Sequence, residues 1–127
     1  MTPVTRHESR ERALAILYEA AQKHLDPRVA LAEATVAPDP YSELLVGLAS
    51  EHGDEARQVI EATAANWPIE RIGLIDRLVM ELALCELRGE DPPPVAVVID
   101  EAVELAKTYS TPSSGSFVNG VLSAALA

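Results

Sequence analysis

The sequence predicts an all-α fold, a compact bundle of about seven helices in a single domain spanning residues 1–127. Three observations predict it. Apolar residues recur at helical spacing nearly throughout, no alternating strand pattern persists, and the breaks are short turns carrying proline, glycine or serine. A chain of 127 residues fits one domain of ordinary size and can bury a substantial core.

The first helix is expected from about Val4 to His24. Leu14, Leu17, Tyr18, Ala21 and Leu25 form one stripe at i, i+3, i+4, i+7 spacing. Arg6 and Arg10 extend that stripe toward the N-terminus. Two pairs at i, i+4 spacing, Glu8–Arg12 and His7–Glu11, are placed to close on the exposed face. A short second helix follows Pro27. The third starts at Asp39-Pro40, where Asp39 caps and Pro40 opens the first turn. It is expected to end near Gly53, with His52 at its end, and Asp54 to cap a fourth helix that closes at Asn66-Trp67-Pro68.

The fifth helix, about Ile69 to Arg88, is apolar around most of its circumference, as a bundle's buried centre is. Arg77, Glu81 and Arg88 form its polar strip, with Glu81 placed to pair with Arg77. Three prolines, Pro92 to Pro94, then force an extended connection. The sixth helix runs from Val95 to Tyr109, with Val95, Ile99, Ala102, Val103 and Ala106 inward. The last begins near Ser113 to Ser116 under a serine cap, and Phe117, Val118, Val121, Leu122 and Ala125 make its apolar face.

Composition narrows the function. The net charge is −10, which argues against a broad nucleic-acid surface, since phosphate binding needs local cations. The basic residues are uneven, however. Residues 1–28 hold five of the ten, against four acids, and the segment from Tyr109 to Ala127 holds no charge at all. A local anion site at the N-terminus and a plain solvated helix end both fit this pattern. The longest apolar stretches fall short of a membrane span, and the N-terminus lacks the apolar core of a secretory signal. Cys85, the only cysteine, lies in the apolar run Leu82-Ala83-Leu84-Cys85 and reads as a buried, reduced thiol in a cytoplasmic protein. No Gly-rich phosphate loop, zinc spacing or nucleophile–base set is present, and the carboxylates lie on solvated faces. No enzymatic activity, metal or cofactor is expected.

Three segments together resemble the NusB family. The first is Arg6-His7-Glu8-Ser9-Arg10-Glu11-Arg12-Ala13, running into Ala15-Ile16-Leu17-Tyr18. The second is Trp67, then Asp76-Arg77, then Glu81 to Leu87. The third, and most specific, is Asp100-Glu101-Ala102-Val103-Glu104-Leu105-Ala106-Lys107 followed by Phe117-Val118-Asn119-Gly120-Val121-Leu122. The resemblance implies a helical bundle in two subdomains. It implies a transcription antitermination factor that binds boxA-type single-stranded RNA together with NusE, a small-subunit ribosomal protein, in the RNA polymerase antitermination complex that supports ribosomal RNA transcription. Homodimers are a further mode it implies.

The residues it places at or near RNA are Arg6, His7, Arg10, Tyr18, Arg77 and Phe117. Basic side chains hold phosphates, and aromatic faces stack bases. Tyr18 also fits a stripe-edge core position, and Phe117 an apolar helix face. The chain departs from the family at Glu8, at Glu81, where arginine is common, at Ser116, where a basic residue is common, and at Cys85, where an aromatic is common. Fewer cations imply weaker or partner-dependent RNA binding. The alternative is a NusB-like protein-interaction module with little or no RNA affinity.

Overall fold

A computed structural model describes residues 3–127. Among them are six α-helices, one 3-10 turn and no strand. Helix α1 spans Arg6–Lys23. Thr5 caps it: its hydroxyl accepts from the Glu8 backbone N–H at 3.1 Å while Glu8 accepts from the Thr5 N–H at 3.2 Å. Glu8 is thereby engaged, so the expected Glu8–Arg12 pair does not form; Arg12 leans instead toward Asp39, 4.0 Å away. The helix stops at His24, whose φ of 55° lets its N–H turn back onto the last carbonyls.

Helix α2 spans Pro27–Ala32, capped by Asp26, and α3 spans Pro40–Thr63, capped by Asp39. The two helices expected on either side of Gly53 are one. Gly53 keeps a negative φ, and Leu45, Ala49, Ala56 and Ile60 form one buried stripe running past it. The roughly 1 kcal/mol that a mid-helix glycine costs is small beside that burial. His52 therefore lies mid-helix, and Asp54 caps nothing. The expected helix from Ile69 is also shorter: Ile69–Arg71 form a 3-10 turn, Ile72 is extended, and α4 begins only at Leu74, running to Glu86 with Gly73 at its cap. The merger across Gly53 reduces the expected seven helices to six.

Helices α5, Val95–Tyr109, and α6, Ser114–Ala125, complete the bundle. On α5 the buried stripe is Val98, Ala102, Leu105 and Ala106, while Val95 is exposed. Ser113 makes no side-chain cap at α6; Ser114 accepts from the Thr111 N–H and donates to Asp76 on α4. Helix α4 lies at the centre. It packs on α3 and α1 on one side and on α5 and α6 on the other, so one continuous core joins the two halves. No described helix is long and apolar enough to cross a membrane.

Candidate nucleic-acid interface

The family-implied residues divide among several places. His7 and Tyr18 are eleven residues apart in α1, which brings them within about 20° of one another round the helix. They share a face with Glu11, and Tyr18 is 40% exposed. Across from that face stands Tyr109, the last residue of α5, which is 46% exposed. The two tyrosines, with Leu14, Ala15 and Ile75, line an open cleft of about 430 Å³. The Tyr109 hydroxyl donates to Glu11 and fixes the ring at the rim. His7 lies 2.8 Å from Glu101 on α5 and 3.6 Å from Glu11. The Glu101 hydrogen bond raises the His7 pKa above its ordinary value despite some desolvation. Two exposed aromatic faces over an aliphatic floor can stack unpaired bases.

Sequence reasoning missed Tyr109. It is an aromatic residue at the start of the uncharged C-terminal segment, where the sequence marks only a helix end. The proline-flanked start of α5 and its length set where that end falls, and so bring Tyr109 opposite α1.

Arg10 corrects the expectation of an exposed phosphate ligand. Its side chain is 5% exposed, and its guanidinium donates from Nε to Glu86 Oε1 at 2.9 Å and from Nη2 to Oε2 at 2.8 Å. The Glu86 side chain is 2% exposed. This pair fastens α1 to the end of α4, and Tyr41 of α3 donates its hydroxyl to the same carboxylate at 2.5 Å.

Arg6 is twelve residues from Tyr18, about 120° away round α1, and faces the start of α3 rather than the aromatic cleft. Its guanidinium lies over the Tyr41 ring, 4.5 Å from the centroid. Arg77 is half-buried and pairs with Glu81 at 3.1 Å, as its spacing predicts. Arg57 of α3 approaches the same carboxylate at 3.9 Å. Burial nonetheless raises the Glu81 pKa, outweighing the charges of Arg77 and Arg57. Glu81 thus faces the α1–α3–α4 side and not the aromatic cleft. Phe117 is half-buried against the core and does not line the cleft.

Among the described residues, eight of the ten basic side chains form ion pairs with carboxylates; Arg6 and Arg71 do not. The expected arginine patch beside Tyr18 is therefore absent. His7 is the basic group on that face.

Comparison with known proteins accords with this architecture. The NusB family model matches residues 7–127. The chain is 41% identical over 120 residues to the transcription antitermination protein NusB of Geobacillus kaustophilus, covering 93% of this chain and 92% of that protein. The T. maritima NusB structure superposes with a TM-score of 0.84 at 28% identity, covering 98% of this chain and 92% of that one. A crystal structure of the antitermination factors NusB and NusE in complex with double-stranded RNA matches with a TM-score of 0.76 at 28% identity, covering 94% of each chain. With the match running through the capped first helix, the central α4 and the C-terminal signature alike, this chain belongs to the NusB family.

Proposed function

We propose that the chain is a non-enzymatic transcription antitermination factor. It binds boxA-type single-stranded RNA jointly with the NusE-type ribosomal protein, and within the RNA polymerase antitermination complex it supports ribosomal RNA transcription. We take residues 1–127 as one NusB-like domain acting in the cytoplasm. The observation that carries the RNA reading is the pair of exposed rings, Tyr18 and Tyr109, facing one cleft between the middle of α1 and the end of α5, Tyr18 being a position where the family relationship implies RNA. His7 is the basic group beside them, and Arg6, one helical face away, has no carboxylate partner among the described residues. Arg77 and Phe117 hold the bundle that carries this face, the first through Glu81 and the second through the core.

A second reading draws on a different observation. Eight paired cations, the buried Arg10 among them, leave few charges for phosphate, which suits a module that mainly holds a protein partner. Titrating a boxA-like single-stranded RNA with and without the NusE-type protein, over a salt series, separates the two. Under the first reading binding is measurable with the partner, weakens with salt and falls about 5- to 100-fold on Tyr18→Ala, the range for loss of one stacked base. Association of the two proteins with no RNA binding at any salt favours the second. A second copy of the chain is a third partner to test, by sedimentation.

A further inference from the structure

We infer that Tyr41 is a positioning residue for RNA binding: its ring carries the Arg6 guanidinium and fixes where that cation meets a phosphate. The inference rests on the RNA-binding reading above and extends it to a residue outside the aromatic cleft.

The geometry is built from both sides of the ring. Tyr41 follows Pro40 in the first turn of α3, where Asp39 and Pro40 set the helix start. Its hydroxyl donates to Glu86 Oε2 at 2.5 Å, and Glu86 is itself held by Arg10. Burial and that hydrogen bond push the phenol pKa to about 12, so the hydroxyl remains a donor. The hydroxyl end of the ring is thus tied to a buried ion pair, which fixes where the ring axis lies beneath Arg6. Arg6 rests over the face at 4.5 Å, with Arg10 near the same ring at 5.9 Å.

Arg6 is exposed and has no carboxylate partner among the described residues. Among the described residues its one close partner is the Tyr41 ring. A solvated arginine in the first turn of a helix samples many rotamers, and its charge is disfavoured there by the helix dipole. Stacking removes that freedom before a ligand arrives, while the N–H edges stay open for bidentate contact with phosphate. Arg6 also stands at the edge of a groove of about 900 Å³ between α3 and the connection after α4, whose lining is acidic (Glu43, Glu51, Glu86, Glu90 and Asp91), so it is the exposed cation there without a carboxylate partner among the described residues.

The test is a double-mutant cycle on binding of a boxA-like single-stranded RNA with the NusE-type partner present, across a salt series, with thermal unfolding recorded for each variant. Arg6→Ala is expected to lower the log–log salt slope by about 0.7, one single-strand phosphate contact. Tyr41→Leu is expected to weaken binding about 2- to 5-fold, the range for an exposed cation–π contact. In the Arg6→Ala background Tyr41→Leu should cost nothing more. Tyr41→Phe keeps the ring face and should keep the slope. Additive losses, or a Tyr41→Leu protein that binds like wild type while Arg6→Ala does not, overturn the inference and leave the RNA reading standing. No effect of Arg6→Ala removes Arg6 from the RNA reading and the inference with it. A readout on the unmutated protein covers the case in which Tyr41→Leu fails to fold. The Arg6 side-chain protons should show an upfield ring-current shift that persists when RNA binds; its disappearance on binding means Arg6 leaves the ring, and overturns the proposal.

Discussion

Replacing Arg10 by alanine should damage the fold rather than the RNA surface. The substitution deletes all three charge-assisted contacts to Glu86, at 2.9, 3.0 and 2.8 Å, in a site where the two side chains are 5% and 2% exposed. What remains is a buried carboxylate with Tyr41 as its hydrogen-bond donor. Removing one partner of a buried pair costs about 3–5 kcal/mol, chiefly because the survivor cannot regain water. For a domain of this length, each kcal/mol corresponds to about 3–5 °C in melting temperature, so Tm should fall by about 9–25 °C. Thermal unfolding followed by circular dichroism measures this directly. RNA affinity, corrected for the folded fraction, should fall by no more than the roughly 2- to 5-fold expected for loss of the Tyr41 contact, one cation–π interaction, and its salt slope should be unchanged. Arg10→Met with Glu86→Leu should recover most of the loss, since apolar replacement of both partners is often neutral. Recovery stays partial, because the Tyr41 hydroxyl loses its acceptor. A variant that melts within a few degrees of wild type but binds RNA with a shallower salt slope would refute this account and return Arg10 to the RNA surface.

Three further outcomes are expected. The His7 pKa, raised chiefly by the Glu101 hydrogen bond, should titrate above 6.5 by NMR; a folded value above the unfolded one means its stabilising effect is full at low pH and lost as pH rises through the folded midpoint. His7→Gln should therefore differ from wild type at pH 5 and match it at pH 9, and a constant difference contradicts the assignment. Burial opposes the Asp39 charge, but hydrogen bonds from Ser42 and Ser9 and from backbone N–H groups outweigh it and bring its pKa down to about 2. Its contribution is thus present above pH 4 and lost as pH falls toward 2; Asp39→Ala should cost about 0.5–2 kcal/mol at neutral pH and flatten that acid limb in urea titrations. Burial also pushes the Cys85 thiol up to about 12, so a thiol reagent at pH 8 should label it only through opening of the bundle, and prompt labelling of the native protein contradicts its placement.

What the sequence made legible follows from how local each cause is. Helix α5 matches its expected bounds because Pro94 and the apolar spacing both lie in that segment. The Arg77–Glu81 and His7–Glu11 pairs follow from i, i+4 spacing. Gly53 was misleading because glycine is weighed locally, whereas the stripe it interrupts is paid for by contacts with α4. Arg10 was misleading for a stronger reason: its partner Glu86 is 76 residues away, and no local pattern marks the two as meeting. An arginine continuing an apolar stripe was the available hint, since a core-facing position needs a buried counter-charge. Tyr109 had no such hint, because its place in the cleft depends on how α5 ends against α1.

The pairing of eight cations has a kinetic consequence. Neutralised in place, they contribute little to the field beyond the surface, and a chain at −10 presents an acidic potential to anything approaching. An RNA strand is repelled during encounter even if it is held well once seated, so its association rate should rise with ionic strength while its lifetime on the protein shortens. A partner of net positive charge experiences the opposite and is drawn in. The same charge distribution therefore favours an order of assembly, protein first and RNA second, with the first arrival masking the field that slows the other.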